Sequence, residues 1–269
     1  MQNKNIAIIG AGNLGRSIAK GIVQKNVSQA SDITLTKRDT ASLDDLLPQG
    51  YKVTSSNTEA TAIADVIILC VQPNQLTEVL DELDDVLNEN QLLISVITGI
   101  SIAQIAGQIS KAVPIVRAMP NTAIAIGESM TCISSSNKEG SAVCKEIFDV
   151  LGKTLIIEED LMQASTVLGA SGIAFFMRYI RAATQGGIQM GFDTADAQLI
   201  AMQTAKGAAS LVLENHSHPE VEIDKVTTPQ GCTIEGLNEM EHQGFSSALI
   251  RGIMTSYNRI TKMKSKKDT

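Results

Sequence analysis

Two glycine-bearing segments of this 269-residue chain have the composition of anion sites built from main-chain N–H groups. The first is Ile6-Ala7-Ile8-Ile9 running directly into Gly10-Ala11-Gly12-Asn13-Leu14-Gly15, a G-x-G-x-x-G spacing set between an expected strand and an expected helix. In that setting Gly10 makes the tight turn, Gly12 lets backbone approach a pyrophosphate, and Gly15 lets the helix pack on the strand. A dinucleotide is therefore the expected ligand, held by the unpaired N–H groups and the dipole of the helix start. The ordinary alternative is a glycine-rich turn without a ligand; the position and flanks of the motif argue against it. The second segment is Thr227-Thr228-Pro229-Gln230-Gly231-Cys232-Thr233-Ile234-Glu235-Gly236-Leu237. Pro229 stiffens its entry, Gly231 permits close approach, and the N–H groups of Gly231, Cys232 and Thr233 would open a helix, a nest suited to a carboxylate. On chemistry alone, a plain capped helix start with Thr233 satisfied locally is the commoner arrangement.

Past the first loop, at the place where an acidic residue would take a ribose 2′-hydroxyl, stands Thr36-Lys37-Arg38, with no carboxylate before Asp39. Lys37 and Arg38 suit a 2′-phosphate, so NADP(H) is expected, NAD(H) remaining possible; the alternative is an ordinary solvated turn. In a parallel sheet the ligand lies beyond the carboxyl ends of the strands. Val71-Gln72-Pro73-Asn74, Thr98-Gly99 and Met119-Pro120-Asn121-Thr122 fall there and would line the nicotinamide half, although each would also serve as a simple connection. His216-Ser217-His218 beside Glu220 and Glu222 lacks a third ligand and reads as a solvated loop, so no metal is expected. No acid–base pair stands out, which suits hydride transfer governed by positioning.

The elements that must position these residues are legible from periodicity. Apolar runs at 6–9, 33–35, 66–71, 92–96, 115–116, 130–133 and 155–157 alternate with helical patterns such as 14–23 and 76–87. That alternation predicts βαβ units and a mainly parallel Rossmann-type α/β sheet. After Ile157 the strand pattern stops, and Asp160 is the expected cap of a helical block with apolar segments at 161–168, 173–190, 195–213 and 245–263. The expected organisation is a dinucleotide-binding domain over 1–157 and an all-helical substrate and dimerisation domain over 158–269, its apolar surplus buried in a homodimer or larger homo-oligomer.

Composition narrows the classes. Lys plus Arg number 22 against 29 Asp plus Glu, for a net charge of −7, and aromatics are 3% without Trp, so neither nucleic acid nor anionic membrane is an expected partner. The long apolar stretch at 173–191 carries Arg178 and Arg181, against a membrane span. Cys70, Cys132, Cys144 and Cys232 are scattered and read as reduced thiols, and a strand within the first residues leaves no room for a signal peptide, so a cytoplasmic protein is expected.

Taken together, Gly10 to Gly15, Arg117-Ala118-Met119-Pro120-Asn121-Thr122, Ala170-Ser171-Gly172 and above all Thr228-Pro229-Gln230-Gly231-Cys232-Thr233 with Gly236-Leu237 resemble the pyrroline-5-carboxylate reductase family, nearly end to end. The resemblance implies reduction of 1-pyrroline-5-carboxylate to L-proline, the last step of proline biosynthesis. It implies that Thr228 and the backbone of Gly231, Cys232 and Thr233 hold the substrate carboxylate while the Thr233 hydroxyl bonds the ring nitrogen. It further implies Asn57 near the adenosine ribose, Arg38 at the 2′-phosphate, and a helical domain interlocking between subunits with each active site at a dimer interface. The chain departs from the family pattern where Gln72 replaces a Lys, Ala123 a Pro, Gln230 a Gly, and where Ala170, Ile173 and Phe175 replace Gly, Pro and Tyr. Two competing readings are a reductase of another cyclic imine or a β-hydroxyacid dehydrogenase, the latter disfavoured because 173–190 holds no Lys, and a non-catalytic NADPH-binding regulatory paralogue.

Overall fold

A computed structural model describes residues 4–265. Its strands are β1 (Ile6–Ile9), β2 (Ile33–Thr36), β3 (Lys52–Thr54), β4 (Val66–Leu69), β5 (Leu92–Ser95), β6 (Ile115–Met119), β7 (Ser129–Ser134) and β8 (Gly152–Ile156). They form one sheet in the order β3-β2-β1-β4-β5-β6-β7-β8. All neighbours are parallel except β6 and β7. Every residue of β1, β2, β4 and β5 is buried, because helices cover both faces. Strand alternation divides the core accordingly: Ile6, Ile8, Leu35 and Ile68 pack with Ile18, Ile22 and Phe148 on one face. Ala7, Ile9, Ile67 and Leu69 pack with Leu80 and Leu83 on the other.

The covering helices are α1 (Asn13–Gln24), α2 (Asn57–Ala62), α3 (Leu76–Leu83), α4 (Ile102–Ala106) and α5 (Lys138–Asp149). In α1 the buried stripe is Gly15, Ile18, Ala19 and Ile22, with Leu14 and Val23 at its margin. The crossover leaves β1 and β4 adjacent while the chain passes from β1 to β2 on the other side, so the strand order reverses at β1. That switch point opens above the ends of β1 and β4, the usual place for a ligand in such a sheet.

Beyond β8 a three-ten turn at Glu159–Leu161 leads to α6 (Met162–Ser165) and a π-helical stretch, Thr166–Ser171. Asp160 lies inside the three-ten turn and does not cap a helix as expected; the turn starts from Glu158 and α6 from Leu161. The remaining helices are α7 (Gly172–Gln189), α8 (Thr194–Asn215), α9 (Pro219–Val226), α10 (Cys232–His242) and α11 (Phe245–Ser265). The chain divides into two compact units, one running to Ser171 and taking in the segment from Tyr257, the other being Gly172–Ser256. The strands thus end at Ile156, whereas the compact sheet unit continues through α6 and the π-helix, because Met162 and Ala170 pack with Met119 and Cys132. In the second unit α7 packs on α8, with Gly187 facing Ala197 so closely that a Cβ on Gly187 would lie 2.9 Å from the alanine methyl. Phe176, Met190 and Leu213 of this unit are each more than two-thirds exposed at 71%, 77% and 68%. No helix among the described residues is long and apolar enough to cross a membrane.

Candidate active site

The first glycine loop sits at the carboxyl end of β1. Gly10 has φ +93°, and a Cβ there would strike Val71 Cγ1 at 2.8 Å. A Cβ on Gly15 would lie 2.7 Å from the Gly10 carbonyl oxygen, so that position is held to glycine by packing of α1 on β1. At Gly12 the geometry differs: a Cβ would meet nothing within 4 Å. Gly12 is also the N-cap of α1, and no side chain caps it. The first helical bond is from Arg16 N–H to the Gly12 carbonyl at 3.0 Å, leaving the N–H groups of Asn13, Leu14 and Gly15 ahead of the ladder. An open approach, uncapped donors and the positive end of a helix coincide there.

From this loop a directed hydrogen-bond relay runs outward. Gly10 N–H donates to Thr36 Oγ1 at 3.2 Å, Thr36 donates to Asn57 Oδ1 at 2.7 Å, and Asn57 Nδ2 donates to Glu82 Oε2 at 2.7 Å. The relay fixes the Asn57 amide with its oxygen toward β2 and its nitrogen toward α3. Lys37 follows β2, its N–H bonded to the Thr54 carbonyl at 3.2 Å, and the exposed Arg38 pairs with Glu78 of α3 at 3.1 Å. Arg16 makes two bonds to the Asp45 carboxylate, at 2.8 and 2.6 Å, which hold that carboxyl below the usual range.

The other strand ends converge on the same edge. Val71 touches the Gly10 position, and Gln72 and Gln75 close a turn around the exposed Pro73, with Gln72 N–H on Gln75 Oε1 at 3.1 Å. Cys70 lies beside Gly10, and desolvation pushes its thiol up to about 12, so it stands there as a neutral group. Thr98 reaches Met119 Sδ at 4.0 Å, joining the ends of β5 and β6. Asn121 is heavily committed within the protein: Oδ1 caps Ala123 N–H at 3.0 Å and Nδ2 donates to the Gly169 carbonyl at 3.2 Å. Below it, the buried Arg117 binds Glu159 Oε1 at 2.9 Å, and the same oxygen accepts Ile102 N–H at 2.8 Å.

In the second unit Thr228-Pro229-Gln230-Gly231 forms a tight turn, with Gly231 N–H on the Thr228 carbonyl at 2.9 Å and Gln230 at φ +58°. Proline second and a positive φ third are the pattern of a type II turn, whose third position glycine fills without strain. The Gln230 side chain is exposed. A Cβ on Gly231 would lie 2.4 Å from Thr228 Oγ1, so the turn folds the threonine hydroxyl over the glycine. Gly231 is the N-cap of α10 and no side chain caps the helix. By contrast Ser56, Ser101, Asn137, Asp193 and His218 cap α2, α4, α5, α8 and α9 with their own side chains. No side chain caps α10, as none caps α3 or α6, and Cys232 and Thr233 occupy its first two positions. His218 serves as a cap and His216 as the left-handed C-cap of α8.

Within the sheet unit the structure groups Gly10, Gly12, Asn13, Leu14, Gly15, Arg38, Asn57 and Val71 around one end of β1. The second unit groups Thr228, Gly231, Cys232 and Thr233. Sequence reasoning places Thr36 before the basic pair without giving it a partner and misses Glu78 and Glu82; the pair of acids four residues apart on an amphipathic helix was the available signal.

Similarity to known proteins follows this geometry. Residues 159–263 match the family model for pyrroline-5-carboxylate reductase dimerisation, and residues 5–99 match one for NADP oxidoreductases, coenzyme F420-dependent. Pyrroline-5-carboxylate reductase 2 of Dictyostelium discoideum is 43% identical over 98% of this chain and 94% of its own length. Pyrroline-5-carboxylate reductase 1 of the same organism is 48% identical, and the chain spans 99% of itself but only 51% of that protein. A Plasmodium falciparum pyrroline carboxylate reductase, crystallised with NADP bound, superimposes with a TM-score of 0.89 over 98% of this chain and 99% of that one at 23% identity, which establishes a shared fold. The chain belongs to the pyrroline-5-carboxylate reductase family of oxidoreductases.

Proposed function

We propose that this chain reduces the C=N bond of 1-pyrroline-5-carboxylate, giving L-proline, with NADPH as the hydride source and NADH as a possible substitute. The observation that carries the reading is the uncapped, glycine-led start of α10 in a member of this family. The open Gly12 and the uncapped start of α1 fit a dinucleotide pyrophosphate, with Gly10, Asn13, Leu14 and Gly15 shaping the loop. Lys37 and Arg38 bring positive charge, Asn57 an amide for the ribose, and Val71, Gln72, Pro73 and Asn121 line the strand ends toward the nicotinamide half. When bound, the nicotinamide supplies hydride to the imine carbon.

The chain's own residues orient and hold. The N–H groups of Cys232 and Thr233 fix the substrate carboxylate, with the Thr228 hydroxyl completing the grip; Gly231 shapes the turn, its own N–H being held by the Thr228 carbonyl, and the helix dipole stabilises the anion. The Thr233 hydroxyl aligns the ring nitrogen, which takes its proton from solvent water as the carbon gains hydride. Gln230 keeps the turn and directs its side chain to solvent, so the nest survives the loss of glycine. The exposed apolar side chains of α7 and α8, in the region matching a dimerisation model, support a homodimer. Free thiols suit a reducing compartment such as the cytoplasm. A β-hydroxyacid dehydrogenase would need a lysine that α7 does not have.

The test is NADPH oxidation with 1-pyrroline-5-carboxylate, followed by absorbance with proline measured as product. Stoichiometric proline supports the reading. NADPH binding without turnover would instead make the chain a regulatory paralogue.

A further inference from the structure

Helix α3 buries Leu76, Val79, Leu80 and Leu83, which leaves Glu78 and Glu82 one turn apart on its exposed side. Both reach the adenosine end of the proposed cofactor site: Glu78 Oε2 lies 3.1 Å from Arg38 Nη2, and Glu82 Oε2 lies 2.7 Å from Asn57 Nδ2. These are the two side chains assigned to a 2′-phosphate and its ribose. A phosphate monoester brings close to two negative charges at neutral pH. To take Arg38 it must displace one carboxylate, and it then sits near a second. A ribose 2′-hydroxyl meets the same groups differently, since a hydroxyl donates to a carboxylate and carries no charge.

We propose that Glu78 and Glu82 are specificity-determining residues for the dinucleotide, opposing Lys37 and Arg38 so that the phosphorylated and unphosphorylated cofactors are discriminated less than the basic pair alone would dictate. The relay from Gly10 through Thr36 to Asn57 makes Glu82 the fixed terminus of a network that begins at the pyrophosphate turn, so its carboxylate is held in place. Glu78 sits on a solvent-exposed pair and yields more readily. The proposal rests on the cofactor reading above and adds to it which residues set the choice.

The test is equilibrium titration of the full-length protein with NADPH and with NADH by isothermal calorimetry, comparing wild type, Glu78→Gln, Glu82→Gln and the double variant. Removing a unit charge several ångströms from a dianion in a solvated cleft predicts roughly 3- to 10-fold tighter NADPH binding per carboxylate at low salt. NADH affinity changes less than about 2-fold, and raising the salt shrinks the NADPH gain. Asp81→Asn, which removes a charge from the same helix, leaves the NADPH-to-NADH ratio unchanged. An unchanged ratio in the double variant, or equal shifts for both nucleotides, overturns the proposal while leaving the cofactor site standing. Failure of wild type to bind either nucleotide overturns the cofactor reading and the proposal with it.

Discussion

Gly231→Ala isolates the proposed substrate nest from everything else in the molecule. Gly231 has φ −80° and ψ 154°, an ordinary extended conformation, so alanine suffers no backbone penalty. The whole effect must come from the new methyl, which would lie 2.4 Å from Thr228 Oγ1 and 3.0 Å from the Thr228 carbonyl oxygen. Reaching even a tight contact requires the hydroxyl to retreat by about 0.6 Å, and a relaxed one about 1 Å. That carbonyl also accepts the Gly231 N–H at 2.9 Å, so retreat by the backbone strains a bond worth about 0.5–1.5 kcal/mol, and retreat by side-chain rotation takes Thr228 out of the nest. Misplacement near 1 Å in an orienting site costs up to about 100-fold. The expected result is a fall in kcat/KM for 1-pyrroline-5-carboxylate of about 10- to 100-fold, or ~1.4–2.7 kcal/mol of transition-state stabilisation, with the NADPH dissociation constant unchanged. Steady-state NADPH oxidation and nucleotide fluorescence titration measure the two. A kcat/KM within about 2-fold of wild type would refute the assignment of this turn to substrate binding.

Thr233→Ala should lower kcat/KM by roughly 10- to 1,000-fold at constant NADPH affinity, the size of one oriented hydrogen bond in the transition state; unchanged turnover would reduce the hydroxyl to a structural part. Glu159→Ala strips the partner from Arg117, whose side chain is only 7% accessible, and should destabilise by about 2–3 kcal/mol in urea unfolding, discounted from a fully buried pair because Glu159 is 33% accessible. Glu159→Gln keeps an acceptor for Ile102 and should lose about half as much; a loss below about 0.5 kcal/mol from the alanine variant would show the pair to be energetically idle. Burial raises the Cys144 thiol above its ordinary range, so above about pH 8.5 the unfolded chain releases a proton that the folded chain keeps. Stability should therefore fall with rising pH, by up to about 1.4 kcal/mol per pH unit from this residue, and Cys144→Ala should remove that share of the slope between pH 8.5 and 10. An identical slope in the variant would contradict it.

The strands and the glycine loop were readable because parallel strands buried on both faces appear as unbroken β-branched runs, and Ile6 to Gly15 shows nothing else. β3 was not, since Lys52-Val53-Thr54 is a three-residue edge strand whose pairing with β2 comes from the neighbouring backbone. α5 carried a usable signal in Val143, Cys144, Ile147 and Phe148, three of which are fully buried, but its Gly140-Ser141 start diluted it. Asp160 failed as a cap because the chain needs a three-ten turn there to bring Glu159 to Arg117 and the start of α4. Gln230 departs from the family pattern at the turn itself, and its left-handed conformation shows how it is accommodated: the backbone accepts a cost of about 1–2 kcal/mol for an L-residue while the side chain is exposed. What no local pattern reveals is the relay from Gly10 to Glu82, because its members are 26, 21 and 25 residues apart in sequence.

Whether main-chain amides at the start of α10 grip the substrate carboxylate is decided by a crystal structure of the protein with L-proline or an unreactive cyclic amino-acid analogue bound. The carboxylate oxygens should lie within hydrogen-bond distance, about 2.7–3.2 Å, of the N–H groups of Cys232 and Thr233, with the ring nitrogen on the Thr233 hydroxyl and the Gly231 N–H still on the Thr228 carbonyl. A carboxylate bound to other groups, with the α10 amides facing water or covered by Gln230, would contradict it.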